Sequence, residues 1–345
     1  MSSEKKPSQS VRPGLSYPDH GGNREAAARQ AGLRSEDLID FSASINPLGP
    51  PNCVHSALRD SAQYLDEYPD PQAAALRTVL SERLGISPDR ITAANGSTEL
   101  IYLIPYLWSK NKEVALVTPC FSEYERAFRT AGVSVRNIPL DAENGFHFDP
   151  DPFLFQLQGL KNLGGVVIGN PNSPAGNLWK ADSLSALVHF CEKRNLFLVI
   201  DETFIEFCGY EHSPLKQIDN NRHLILVRSM TKFYALPGLR LGYGIMHPGW
   251  IEKLESRRPP WSVNAIAQAV GKSVLGDTEF PDRVREFIRK ERNFLYKGLK
   301  EIPALEVFSS DANFLLFRLR EGTERESKAL YSSLLGEGLL VRNCG

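Results

Sequence analysis

Short apolar runs alternate with helical patterns through the middle of the chain. Continuous apolar stretches at 114–118, 133–139, 165–170, 197–201, 224–229 and 241–246 predict strands, and residues 123–131 and 181–194 predict helices between them. A strand that is apolar at every position, rather than at every second one, is covered on both faces. The pattern therefore predicts an α/β fold with a large, mostly parallel sheet under helices. Leu76, Val79, Leu80 and Leu84 recur at helical spacing and predict a helix over 72–84, and an apolar helix is expected at 100–107. From about Trp250 the texture changes. A long charged helix at 279–302 precedes strands at 305–307 and 314–318 and a helix near 327–335, which reads as a smaller α+β unit. The expected division is an N-terminal arm over 1–50 serving the small domain and the active site, a large domain over 51–250 and a small domain over 251–345. Within the arm, residues 1–18 read as loose, and Pro47-Leu48-Gly49-Pro50-Pro51 is a rigid turn.

The 345 residues suffice for about two domains. A formal net charge of −1 leaves no basic surplus for nucleic acid or an anionic membrane. The first 13 residues lack the apolar core of a secretory signal, and no apolar run reaches the roughly 18 residues of a membrane span. Five scattered cysteines without a CxxC pair fit a reduced, cytoplasmic protein. The seven histidines never stand at metal-ligand spacing, so no metal is expected.

Candidate chemistry begins at Ser229-Met230-Thr231-Lys232, with Arg240 eight residues beyond the lysine. An amine beside hydroxyls and a guanidinium suits a cofactor with an aldehyde at one end and a phosphate at the other, as in pyridoxal 5'-phosphate. The same segment also reads as a solvated charge in a loop. Four further features have a double reading of this kind. Asn95-Gly96-Ser97-Thr98-Glu99 offers an anion site at a helix start, or a plain N-cap. Asp201 ends a buried strand and suits a pyridine-nitrogen partner, or an ion-paired loop acid. Asn172, in Asn170-Pro171-Asn172-Ser173-Pro174, offers an amide to a ring oxygen, or only a turn. Phe121 covers a ring face, or belongs to the core.

Their order along the chain resembles that of the fold-type I pyridoxal-phosphate enzymes, over almost the whole length. Within that superfamily the chain is similar to the histidinol-phosphate aminotransferase branch, and in particular to the threonine-phosphate decarboxylase family of cobalamin biosynthesis. The carriers are His20-Gly21-Gly22-Asn23, Asp40-Phe41-Ser42-Ala43-Ser44-Ile45-Asn46-Pro47-Leu48-Gly49-Pro50-Pro51, Tyr68-Pro69-Asp70-Pro71, the Asp201–Phe207 segment and Ser229 to Tyr243. The resemblance implies Lys232 as the Schiff-base lysine and later acid and base, with Asp201 on the pyridine nitrogen, Asn172 on the ring oxygen and Phe121 over the ring. It implies Ser97, Thr98, Ser229, Thr231 and Arg240 around the cofactor phosphate. Tyr68 would reach the phosphate in a neighbouring subunit, which makes a homodimer part of the site. His20, Gly22, Asn23, Ser44, Asn46 and Arg342 would face a small phosphorylated amino-acid substrate.

The resemblance implies decarboxylation of O-phospho-L-threonine, with amino transfer from histidinol phosphate to 2-oxoglutarate as the alternative. Phe204 stands where the aminotransferases of this branch usually carry a tyrosine, which points to the decarboxylases. Ser44 stands where the decarboxylase motif usually has asparagine. The sequence ends at Gly345, a few tens of residues before relatives supply a further carboxylate-gripping arginine, so a shortened small domain is expected.

Overall fold

The computed structural model of the chain describes residues 20–320 and 324–344, so the loose arm expected at 1–18 lies outside them. Seven strands form the central sheet: β1 (Ile91–Ala94), β2 (Glu113–Thr118), β3 (Ser134–Pro139), β4 (Leu163–Gly169), β5 (Phe197–Asp201), β6 (Leu224–Ser229) and β7 (Gly242–Ile245). Their spatial order is β1-β7-β6-β5-β4-β2-β3. All neighbours pair in parallel except β7, which runs antiparallel to both β1 and β6. The mostly parallel sheet expected from the apolar runs is present.

Burial on both faces explains those runs. In β5, Leu198 and Ile200 pack on one side with Leu187, Val188 and Leu226, while Val199 packs on the other with Ile101, Tyr124 and Phe128. The helix Ala181–Lys193 supplies Leu184, Leu187, Val188 and Cys191 from one stripe, the spacing of a helix lying on a sheet.

Several boundaries shift from expectation, among them the helix expected at 100–107, which is Ser97–Leu103, and two of the shifts have clear local reasons. The helix expected from residue 72 starts at Ala74, because Asp70 accepts the amides of Gln72 (2.9 Å) and Ala74 (2.7 Å) and Ala73 is left-handed at φ 47°. The strand expected at 314–318 is Phe317–Leu319. The residues before it turn inward instead: Asn313 reaches Ser44 and Phe314 packs on Phe204.

Both ends of the described chain meet. Ile39–Asp40 pairs in parallel with Leu339–Leu340, and Ala27, Ala28 and Leu38 share a small core with Leu335 and Leu340. Among the described residues, no helix is long and apolar enough to cross a membrane.

Candidate active site

Every parallel strand ends at one rim of the sheet, and the candidate residues follow those ends in turn. Ser97 and Thr98 come after β1, Phe121 after β2 and Asn172 after β4, while Asp201 closes β5 and Ser229 closes β6. Ligands of open α/β sheets sit at this rim. The antiparallel direction of β7 puts its amino end there too, which brings Arg240 back beside the helix Ser97–Leu103. The contact is close: a Cβ on Gly96 (φ 75°) would lie 2.6 Å from Arg240 Nη2. Only a glycine admits the guanidinium at that helix start.

The Ser229 and Thr231 hydroxyls share a hydrogen bond of 2.7 Å on the same side, and the Ser229 oxygen accepts the Thr231 amide at 3.2 Å. Helix start, hydroxyls and guanidinium together match a phosphate dianion.

Lys232 is partly buried, and its Nζ donates to the carbonyl of Ala43 at 3.0 Å. Burial, with the nearby charges of Arg240 and Arg342, pushes its amine down to about 8. Only a free amine attacks a carbonyl, so this shift favours condensation near neutral pH. Asp201 is buried and its carboxyl is raised by that burial, opposed by hydrogen bonds from Thr203 and Tyr124. The Tyr124 phenol donates to Oδ2 at 2.8 Å and the Thr203 amide to Oδ1 at 2.8 Å, both of them neutral donors. A protonated ring nitrogen would balance this carboxylate. Asn172 donates from Nδ2 to the Pro119 carbonyl (3.0 Å) and accepts the Ala175 amide (3.1 Å), which holds the amide rigid. Its second N–H is the one a ring oxygen would take. The half-buried Phe121 ring lies edge-on to Tyr124 at 5.7 Å and tilted to His20 at 5.6 Å. These groups fit pyridoxal phosphate.

The expected substrate side is assembled from both chain ends. The Gly22 amide donates to Ser42 Oγ at 2.8 Å, and a Cβ on Gly21 would lie 1.9 Å from the Ser42 carbonyl oxygen. Glycine there lets the His20 segment lie flat on the strip that holds Lys232. Asn23 caps the helix Arg24–Ala31, accepting the Ala26 amide at 3.2 Å. Buried Asn46 braces the lysine turn: it donates to the Phe233 carbonyl (2.9 Å) and accepts the Leu48 amide (3.0 Å), while its own amide donates to the Lys232 carbonyl (3.0 Å). Ser44 is left-handed at φ 50°. Arg342 follows the Leu339–Leu340 strand and lies near enough for its charge to lower Lys232. Tyr68 is 81% exposed and stacks on Trp261 with centroids 4.6 Å apart.

Four residues of this region escaped the sequence reading. Tyr124 orients Asp201, and Glu123 receives His20 at 2.8 Å. Asn313 donates to the Ser44 carbonyl at 2.8 Å. Trp261 supports Tyr68. The one available signal was Tyr124 standing three positions after Phe121 at a helix start.

Residues 36–345 match the model of the aminotransferase class I and II family, and the chain belongs to that family. It is 35% identical to the threonine-phosphate decarboxylase of Salmonella typhimurium, over 94% of this chain and 87% of that protein. Among solved structures, the histidinol-phosphate aminotransferase of Clostridium acetobutylicum superposes with a TM-score of 0.81 at 32% identity, covering 89% of this chain and 90% of that one. The L-threonine-O-3-phosphate decarboxylase of Porphyromonas gingivalis gives 0.74 at 26% identity, with 88% of each chain covered.

Proposed function

We infer that this protein is a pyridoxal-phosphate-dependent carboxy-lyase that converts O-phospho-L-threonine to (R)-1-aminopropan-2-yl phosphate and CO2, a step of cobalamin biosynthesis. The observation that carries the reading is a lysine amine lowered to about 8 and a buried aspartate at one sheet rim, in a chain 35% identical to a threonine-phosphate decarboxylase. When bound, pyridoxal phosphate supplies an aldehyde that captures amines and a protonated ring that accepts the electron pair left as CO2 departs.

The chain's own residues do the rest. Asp201, held by Tyr124 and Thr203, keeps the proton on the ring nitrogen. Lys232 would yield its place to the substrate amine, take up the proton that this amine releases, and as an ammonium deliver it to carbon α. Ser97, Thr98, Ser229, Thr231 and Arg240 hold the cofactor phosphate, and Phe121 keeps water from one ring face. His20, Gly22, Asn23, Ser44, Asn46 and Arg342 set the substrate's phosphate and carboxylate. Their grip decides which bond at carbon α stands perpendicular to the ring, so binding energy at the remote phosphate selects the reaction.

Phe204 favours this reading over amino transfer. Its buried ring lies edge-on to Phe314 at 4.9 Å and offers no hydroxyl to the cofactor's ring oxygen. The exposed Tyr68 fits a homodimer in which it enters the second copy's site. Five unpaired thiols fit a cytoplasmic setting.

Purified protein loaded with the cofactor and mixed with O-phospho-L-threonine tests the proposal. Release of CO2 with a product lighter by that mass is expected. Consumption of 2-oxoglutarate with no CO2 would transfer the protein to the histidinol-phosphate aminotransferases, the reading that the 0.81 superposition supports.

A further inference from the structure

One buried carboxylate beside the site has no part in that mechanism. Glu123, in the helix Ser122–Thr130 directly after Phe121, is 4% exposed and gathers two hydrogen bonds and an ion-pair contact. The Tyr102 phenol donates to Oε2, Arg126 lies 3.7 Å from Oε1, and His20 Nε2 lies 2.8 Å from the same oxygen. Tyr102 lies 21 residues away in the helix Ser97–Leu103, and Arg126 stands one turn on in the acid's own helix. His20 comes from 103 residues away, and its side chain is 40% exposed with the ring against Phe121. Its strand of backbone is tied to the catalytic lysine through Ser42 and Ala43. A buried acid therefore fixes an accessible imidazole at the mouth of the site.

We propose that Glu123 is a specificity-determining positioning residue: through His20 it selects substrates that carry a phosphate. With the Nε2 hydrogen directed at Glu123, Nδ1 is the ring's remaining polar atom. Nδ1 donates to a phosphate oxygen only in the imidazolium form, and the Glu123 carboxylate balances that charge. The inference rests on the assignment of His20 to the substrate phosphate.

Glu123→Gln tests it, because the amide oxygen still accepts from His20 while its NH2 can donate to the Tyr102 phenol oxygen, and the side chain carries no charge. In the cofactor-loaded enzyme, KM for O-phospho-L-threonine and the inhibition constant of inorganic phosphate should both rise about tenfold, with kcat changed less than about threefold. His20→Gln should weaken phosphate equally, and the double variant no further. Unchanged phosphate inhibition in Glu123→Gln, additive losses in the double variant, or a fall in kcat alone would overturn the proposal. Should Glu123→Gln not fold, His20→Gln at the exposed mouth decides: unchanged phosphate inhibition overturns the proposal. Should the wild type release no CO2, the functional assignment fails separately. Calorimetric titration of the holoenzyme with inorganic phosphate then still decides: weaker binding in Glu123→Gln supports the proposal, and equal binding defeats it.

Discussion

The floor of the site and its mouth are built by different means. Asp201, Asn172, Ser229 and Thr231 are all buried, and all follow the ends of β4, β5 and β6, so the sheet's ladder sets their spacing. Beneath them Glu202 and Arg228, neighbours of Asp201 and Ser229, form an ion pair of 2.7 Å with side chains 0% and 2% exposed. The mouth draws His20, Gly22, Asn23 and Ser44 from one end of the chain and Arg342 from the other. It is fastened by side-chain bonds such as Gly22 to Ser42 and Asn313 to Ser44. On the proposed reading the rigid floor holds the cofactor, whereas the mouth orients the substrate and so sets which substrate and which bond react, and it can change without disturbing the sheet.

Substitutions in the two regions should therefore fail differently. The largest effect is expected for Lys232→Ala, with CO2 release falling by about 10³-fold or more while the fold persists. A loss below about tenfold would remove Lys232 from the chemistry. The pH dependence has a definite sign. The amine sits at about 8 in the folded protein against 10.5 ordinarily, so between those values the unfolded chain holds a proton that the native state has released. Without cofactor, this group's contribution to stability rises with pH across that window, and the rate of cofactor uptake should climb through pH 8 and level off. Absorbance of the bound cofactor measures the uptake.

Asp201→Asn should lower kcat by about 10²-fold with little change in KM. Next comes the ion pair below the floor. Glu202→Met or Arg228→Met alone should cost about 3–5 kcal/mol in urea unfolding, because each leaves a buried charge, whereas the double variant should return close to wild type. Additive losses would show that the two side chains do not act as a pair. At the mouth, Asn313→Ala removes one hydrogen bond worth about 1 kcal/mol, so KM should rise about fivefold with kcat retained. Loss of kcat instead would place Asn313 with the floor. Tyr68→Phe should be the mildest, shifting unfolding by less than about 0.5 kcal/mol while weakening cofactor retention several-fold. Normal cofactor retention in a stable dimer would remove Tyr68 from the second site.

Floor and mouth also differ in how far the sequence revealed them. Lys232, Asp201 and the Ser229–Thr231 hydroxyls stand at the ends of continuous apolar runs, where local pattern and chemical type coincide. Tyr124, Glu123 and Asn313 carry no such mark. A tyrosine, a glutamate at a helix start and an asparagine in a loop are common, and their partners lie 77, 103 and 269 residues away. Glu202 and Arg228 lie beside residues that were identified, yet their pairing depends on β5 and β6 being neighbours.

Apolar periodicity was enough to determine a parallel sheet, its covering helices and the rim where chemistry collects, because strand and helix repeats are local properties of the chain. Which strands adjoin, that β7 turns back to bring Arg240 against Gly96, and that His20 meets Glu123 were settled by packing. Contacts between distant residues depend on how the whole core closes, and no short window of sequence contains that information.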